Sequence, residues 1–115
     1  MPDAVDVVDA QLAAFRARDL ERFLSFYVAD IAIKDFDGHV VMDGLDALQV
    51  QYGALFINSP NLRATIANRM AIGDFVVDEE WLDGFVIPGY PTELHAVMVY
   101  RVSEGLIRAV TMLSG

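Results

Sequence analysis

The groups in this chain that could carry out acid–base chemistry are mainly carboxylic acids. Its 115 residues include 17 Asp and Glu, only two histidines (His39 and His95) and no cysteine. The absence of cysteine excludes thiol nucleophiles, disulfides, iron–sulfur clusters and cysteine-ligated zinc. A metal site would have to rest mostly on carboxylates, so we expect no metal and no organic cofactor.

Glu79 is a carboxylic acid that the strand pattern predicts to be buried. Alternation along a strand separates Asp78 and Glu80 from Glu79 and Asp83, which lie on the other face. The face of Glu79 also carries large apolar side chains, namely Phe75, Val77, Trp81 and Phe85. We therefore expect this face to point inward, with Trp81 as a wall of a pocket or core. An inward Glu79 must be paired, hydrogen-bonded or protonated. The alternative is exposure through a β-bulge or an ion pair with Arg63, Arg69 or Arg108.

Composition narrows the classes of partner. The formal net charge is −9 at pH 7, which repels phosphate backbones and anionic lipid headgroups, so we expect no nucleic acid and no membrane. The start of the chain lacks the features of a secretory signal, and we expect a cytoplasmic location. Hydrophobic residues make up 55% of the chain, and this surplus predicts an internal cavity, a subunit interface or both.

Hydrophobic spacing predicts helices in the first half of the chain. Apolar residues at 3-4-3 spacing predict a helix that begins at Asp3, and a second, short helix begins at Asp19 and includes Tyr27. Residues 31–36 and 39–42 read as two strands around the turn Asp37-Gly38. A third helix follows Gly44 and stops at 58–61.

The hydrophobic period changes to two after residue 61. Four strands are predicted at 62–72, 74–87, 93–102 and 106–113, separated by glycine- and proline-containing turns. Helices followed by antiparallel strands predict an α+β fold with the helices on one sheet face. A bent sheet over a long helix forms a cone whose mouth is a pocket. No linker or repeat appears, so we expect residues 1–115 to form one domain.

Several segments resemble a known superfamily. Arg18-Asp19-Leu20, followed by residues 27–38, is similar to a family pattern of a helix end, an aromatic residue and an acidic residue that closes the first strand. Residues 76–81 and 98–107 are similar to the family's long strands. The chain thus resembles the nuclear-transport-factor-2-like superfamily, in particular its ketosteroid-isomerase and SnoaL-like polyketide-cyclase branches. The resemblance spans nearly the full chain and implies a cystatin-like cone, in which a curved antiparallel or mixed sheet packs on N-terminal helices.

The resemblance also implies roles for individual residues. In ketosteroid isomerases the residue that matches Asp35 is the general base, and a carboxylate in an apolar cavity has a pKa raised toward neutrality. Tyr27 and Tyr52 match tyrosines that support the oxyanion site. The two principal oxyanion donors are replaced by Gln11 and Met98. Losing even one such donor typically costs about 10²–10³ in rate, so efficient steroid isomerisation is not expected.

Strand parity extends the implied inner face. If Met98 faces the cavity, the side chains on the same face of its strand are Leu94, Ala96, Tyr100 and Val102. His95 then points outward with Val97, on the sheet face that in this superfamily commonly packs against a second subunit. We therefore expect a homodimer through the sheet face. The remaining residues expected around the pocket are Phe15, Phe56, Trp81 and Met112.

The predicted function is acid/base catalysis of an isomerase or cyclase type on a small apolar carbonyl compound, with Asp35 as the base. One alternative is a dimer that binds a small hydrophobic ligand without catalysis. Another is a structural dimerisation module whose cone is filled by side chains, chiefly Phe15, Phe56, Trp81 and Met112. Cavity volume and the exposure of Asp35 to that cavity distinguish these readings.

Overall fold

The computed structural model describes residues 2–115, and its secondary structure follows the predicted order of helices and strands. The helices are α1 (Ala4–Arg16), α2 (Leu20–Leu24) and α3 (Leu45–Asn58). The strands are β1 (Ala32–Asp35), β2 (Val40–Asp43), β3 (Arg63–Ile72), β4 (Phe75–Asp83), β5 (Glu93–Ser103) and β6 (Leu106–Ser114). The predicted α+β class is confirmed. Within residues 2–115, no helix is both long enough and apolar enough to cross a membrane.

The first two helices begin at the predicted aspartate caps. The Asp3 carboxylate accepts a hydrogen bond from the backbone N–H of Asp6 at 2.9 Å, and the Asp6 carboxylate accepts one from Asp3, which completes a capping box. Asp19 accepts from the backbone N–H of Arg22 at 3.2 Å. Helix α2 ends at Leu24, before the predicted Tyr27, because Tyr27 instead forms a parallel β-bridge with Ile107.

One mixed sheet holds all six of these strands in the order β2-β1-β6-β5-β4-β3. The β1–β6 pair is parallel and the other pairs are antiparallel. The long strands are aligned so that Asp78 pairs with Met98, which in turn pairs with Met112. Because directly paired residues share a sheet face, these three side chains lie on the same side.

The inner sheet face and the helices enclose the core. Helix α1 packs across β3, β4, β5 and β6. Aromatic rings join the three helices, with the Phe23 and Tyr52 centroids 4.6 Å apart and those of Phe15 and Phe56 5.4 Å apart. Offset and edge-on ring pairs of this kind stabilise a core beyond their buried area. The rings form the helical side of a cone that opens between α1, α3 and the sheet.

Strand β5 has the predicted orientation. Ala96, Met98, Tyr100 and Val102 are buried, whereas His95 lies on the other face.

Strand β4 has the opposite orientation to the one predicted. Val76, Asp78, Glu80 and Leu82 are at most 8% exposed, whereas Phe75 and Trp81 are 41% and 39% exposed. The prediction was wrong because both faces of this strand carry two acids, and we assigned the larger apolar side chains to the core. The structure instead stabilises the acids on the inner face and leaves Phe75 and Trp81 on the outer face.

Strand β4 also ends at Asp83, four residues before the predicted 87. Gly84 has a φ of +79°, and its backbone passes so close to Asn61 that an added Cβ would lie 2.2 Å from the Asn61 carbonyl oxygen. This close approach ties the end of β4 to the loop that precedes β3.

Gly84→Ala therefore tests the close approach, with Gly38→Ala as its matched control. Gly38 also has a positive φ, +86°, but nothing lies within 4 Å of an added Cβ. Gly38→Ala should lower the free energy of unfolding by about 1–2 kcal/mol, the cost of the left-handed conformation. Gly84→Ala should lower the free energy of unfolding by about 1–3 kcal/mol more than Gly38→Ala does, because the backbone of Asn61 must move. Equal losses in urea unfolding would show that the contact contributes nothing.

Candidate functional site

A cavity of about 140 Å³ lies between the helices and the inner sheet face. Its walls are mostly apolar, and its polar side chains are Gln11, Gln51, Tyr52, Glu80 and Tyr100. Pockets for drug-sized ligands usually measure about 300–1,000 Å³, whereas an engineered cavity of about 150 Å³ in another protein takes up benzene. The volume is therefore suited to a molecule built around one ring.

Glu80 is the carboxylic acid on the cavity wall. It lies on β4, is 7% exposed, and forms no side-chain hydrogen bond with residues 2–115. Burial first and then the negative charge of the nearby Asp78, partly offset by Arg16, raise the pKa of Glu80 to about 7. Glu80 can therefore gain or lose a proton near neutral pH, as an acid/base group must.

Asp78 lies two residues before Glu80 on the same face and is neutralised by a different mechanism. Arg69 on β3 binds it through two hydrogen bonds, Nε to Oδ1 at 2.7 Å and Nη2 to Oδ2 at 2.9 Å. Arg69 also donates to Asp9 on α1. This forked pairing satisfies the carboxylate of Asp78, which is 1% exposed. Because Arg69 already serves two carboxylates, it does not pair with Glu80.

Two tyrosine hydroxyls also reach the cavity. Tyr52 on α3 and Tyr100 on β5 line it, and neither hydroxyl forms a hydrogen bond with the described part of the chain. Burial is the main cause that raises both pKa values, and the charge of Glu80 contributes. Both phenols therefore stay protonated near neutral pH and are available as hydrogen-bond donors.

Gln11 lines the cavity in an orientation set by Tyr27. The Tyr27 hydroxyl donates to Gln11 Oε1 at 2.8 Å, and Gln11 Nε2 donates to the carbonyl oxygen of Val8 at 3.3 Å. Tyr27 itself is buried behind the wall and does not line the cavity.

The structure brings together only part of the predicted set. The predicted residues that line the cavity are Gln11, Phe15, Tyr52, Met98 and Met112. Phe56 is buried behind Phe15 and does not line it. The cavity is therefore not filled by the side chains that would have closed the cone in the purely structural reading.

Asp35, the predicted base, does not line the cavity. It lies beside Met112 in the β1–β6 register, but its carboxylate turns into the β1–β2 loop. Oδ1 accepts from the backbone N–H groups of Asp37 and His39, both at 2.9 Å, and Oδ2 lies 3.3 Å from His39 Nδ1. These hydrogen bonds, led by the backbone of His39, lower the pKa of Asp35. The prediction that an apolar cavity surrounds Asp35 and raises its pKa is wrong.

The same turn accounts for a small group of potential metal ligands. Atoms of Asp35, Asp37 and His39 lie within 4.8 Å of one another on the surface. The hydrogen bonds of the turn explain their closeness.

Glu79 and Trp81 lie on the outer sheet face, so the prediction that they line the pocket is also wrong. Glu79 accepts from Asn68 at 2.6 Å and lies 2.7 Å from Nε2 of His95. The hydrogen bond from Asn68 and then the contact with His95 lower the pKa of Glu79. Trp81 stacks on His95, with ring centroids 4.0 Å apart. Glu79 is therefore neither buried in the core nor paired with an arginine; its partners are Asn68 and His95.

The sequence did contain a signal for the inner acids. A two-residue turn at Gly73-Asp74 places Ile72 opposite Phe75, and counting back along the hairpin places Arg69 opposite Asp78. Opposite charges that face each other across a strand pair stabilise that pair. Counting residues along the hairpin places Asp78, and with it Glu80, on the same sheet face as Arg69.

The raised pKa of Glu80 makes folding stability depend on pH. The folded chain binds the Glu80 proton more tightly than the unfolded chain does. The stability gained from this proton is therefore complete below pH 4.5 and is lost as the pH rises to about 7. The loss amounts to roughly 3 kcal/mol at most. Glu80→Gln has no carboxyl proton to lose at this position. From pH 5 to pH 8, its free energy of unfolding relative to that of the natural chain should therefore increase by up to about 3 kcal/mol.

Urea unfolding across this pH range measures the effect, with Glu21→Gln as the control. Glu21 is exposed on α2, and its side chain forms no ion pair or hydrogen bond with residues 2–115. The difference between Glu21→Gln and the natural chain should change little from pH 5 to pH 8. A difference for Glu80→Gln that is equally flat would contradict the raised pKa.

Several solved structures have a fold similar to that of this chain. An uncharacterised cystatin-fold protein from Novosphingobium aromaticivorans is 21% identical with a TM-score of 0.86, covering 98% of this chain and 99% of that one. A protein of ketosteroid-isomerase-like fold from Catenulispora acidiphila, in complex with trimethylamine, is 21% identical with a TM-score of 0.72, covering 94% and 84%. A protein from Sinorhizobium meliloti, provisionally described as a polyketide cyclase, is 18% identical with a TM-score of 0.72, covering 98% and 95%. At these identities the likeness establishes the fold alone.

The family is established at the level of sequence. No curated protein matches the chain. The model of the SnoaL-like domain matches residues 8–110, which is most of the chain. The chain therefore belongs to the SnoaL-like domain family, in agreement with the resemblance described above.

Proposed function

We propose that this protein carries out acid/base catalysis on a small apolar carbonyl compound held in the cone, with Glu80 as the group that moves the proton. The observation that carries the proposal is a buried carboxyl group on the cavity wall that has no hydrogen-bond partner among residues 2–115 and a pKa of about 7. The carboxylate of Asp35, which the sequence resemblance favoured, is partly exposed and is already hydrogen-bonded to the β1–β2 turn.

The proposed reaction is a proton transfer between carbon and Glu80. The ionised carboxylate removes a proton from the carbon next to the carbonyl group, and the electron pair of that C–H bond moves onto the carbonyl oxygen as an enolate. Tyr52 or Tyr100 donates a hydrogen bond to that oxygen, which compensates for the developing charge. Glu80 then returns the proton to the same carbon or, in an enone, to another carbon of the conjugated system.

The cavity limits the substrate by size and polarity. Its volume of about 140 Å³ accepts one ring and excludes a steroid. Its wall is largely apolar, so the carbonyl compound should carry few polar groups beyond the reacting one. The provisional description of the Sinorhizobium meliloti protein as a polyketide cyclase is in keeping with carbonyl chemistry in a cone of this fold.

Proton exchange into small cyclic ketones and enones tests the proposal. In D₂O at pH 8 the natural chain should accelerate exchange at the carbon next to the carbonyl, as followed by ¹H NMR. Glu80→Gln should reduce the enzymatic rate by about 10²-fold or more, because the amide cannot accept the proton. Glu79→Gln, on the outer sheet face, should retain the natural rate.

Asp35→Asn separates the two candidate bases in the same assay. Retained exchange in this variant together with loss in Glu80→Gln supports the proposal. Exchange that depends on Asp35 and not on Glu80 would overturn it. If the ketones bind in the cavity but exchange is not accelerated, the protein is instead the non-catalytic binder of small hydrophobic ligands.

We also propose that two copies of the chain pair through the outer sheet face. This face carries Met70, Phe75, Trp81 and Leu113, which are between 39% and 63% exposed. Two ion pairs on it are closed within the chain, Glu79 with His95 and Arg63 with Asp83, whereas Glu93 and Arg101 at the two ends of β5 are exposed and have no ion-pair partner among residues 2–115. The centre of the face can therefore meet an identical copy with its charges paired, although the chain as a whole carries a net charge of −9.

Light scattering at micromolar concentration should give twice the 12.7 kDa mass of one chain. Val99→Glu, in the centre of this face opposite Val77 and Thr111, should yield a folded monomer, because it would bury an unpaired charge. Val50→Glu, at a 72% exposed position on α3, is the matched control and should remain dimeric. A natural chain that is monomeric in this range would contradict the pairing.

A further inference from the structure

We propose that the cavity selectively binds a small organic ammonium ion, which pairs with the carboxylate of Glu80 and rests against the aromatic rings of the helical wall. This inference rests on the placement of Glu80 in the proposed function, but it does not require that any reaction take place. Such an ion would occupy the proposed base and so inhibit proton transfer.

Glu80 presents an unsatisfied carboxyl group to the cavity. Glu80 is 7% exposed and has no hydrogen-bond donor among residues 2–115, although it faces a cavity with room for a ligand. A buried ionised group without a partner is costly, and a ligand that supplies a charged N–H removes this cost through a short, charge-assisted hydrogen bond.

The arginines near Glu80 donate their hydrogen bonds to other groups. Arg69 pairs with Asp9 and Asp78. Arg16 donates from Nε and Nη2 to the carbonyl oxygen of Ala64, at 3.3 Å and 3.0 Å. Arg16 therefore keeps its charge and offsets that of Glu80 without a hydrogen bond to it, and a charged N–H in direct contact with the carboxylate must come from the ligand.

Aromatic rings form part of the cavity wall. Phe15, Phe23 and Tyr52 line the cavity, and their ring centroids lie 4.6–6.2 Å from one another. The face of an aromatic ring attracts a cation within about 6 Å, and the attraction strengthens where water is excluded. A cavity with one carboxylate and several rings favours an organic cation over a neutral or anionic molecule of the same size.

The charges around Glu80 set the pH range of this binding. The titratable groups packed near it are Asp78 on its own strand, Arg16 on α1, Tyr27 between α2 and β1, Tyr52 on α3 and Tyr100 on β5. All three tyrosines stay neutral near pH 7, so ionisation of Glu80 governs the affinity there. With a pKa of about 7, Glu80 is mostly ionised at pH 8 and mostly protonated at pH 6.

Calorimetric titration with cyclohexylamine and cyclohexanol tests the inference, since the two probes share one ring and differ in charge. At pH 8 the natural chain should bind cyclohexylammonium at least about tenfold more tightly than cyclohexanol. In Glu80→Gln this preference should vanish, while cyclohexanol binds as it does to the natural chain. Glu79→Gln should behave as the natural chain does.

A second measurement needs no variant. Between pH 8 and pH 6, affinity for cyclohexylammonium should fall about tenfold, while affinity for cyclohexanol stays constant. Equal affinities for the two probes, no binding of the amine, or an amine preference retained in Glu80→Gln would each overturn the inference.

The outcomes also distinguish this inference from the proposed function. Selective amine binding without accelerated exchange in ketones would leave the inference standing and remove the catalysis. Exchange that depends on Glu80, combined with equal binding of amine and alcohol, would do the reverse. If both hold, cyclohexylamine should inhibit exchange competitively with the ketone.

Discussion

The electrostatic relation between Asp78 and Glu80 is the constraint on which the candidate site depends. The two acids lie on the same face of one strand, and both are buried, but only Asp78 has a charged partner, Arg69. Because Arg69 is also held by Asp9, the ion pair is anchored to both α1 and β3. Glu80 has no such partner, and its burial together with the negative charge of Asp78 raises its pKa toward neutral pH.

The rest of the fold preserves that environment. Helix α1 covers the sheet, the aromatic rings of three helices close the cone, and Tyr27 holds Gln11 in the wall. Together they keep water away from Glu80 while leaving a small open volume beside it. Were the cavity filled by side chains, Glu80 would have no substrate to meet. Were it open to bulk water, its pKa would return toward the ordinary value.

Local signals in the sequence were sufficient for the order of the elements, but not for the site. Aspartate caps and hydrophobic periods placed the helices and strands, and alternation from Met98 gave the inner face of β5. On β4 alternation alone could not decide, because each face carries two acids beside apolar residues. The Asp35 carboxylate was misplaced because its turn offers two backbone N–H groups, which hold it outside the cone. Cavity size depends on packing among distant residues, and no short segment encodes it.

The central claim is that Glu80 exchanges a proton near neutral pH inside the folded cone. A ¹³C NMR titration of the glutamate side-chain carboxyl carbons, with the Glu80 signal assigned from Glu80→Gln, measures this directly. The account predicts a midpoint near pH 7 for Glu80 and one below the ordinary value for Glu79. A Glu80 midpoint at the ordinary glutamate value of about 4.3 would mean that the carboxyl group is solvated, and the account would be wrong.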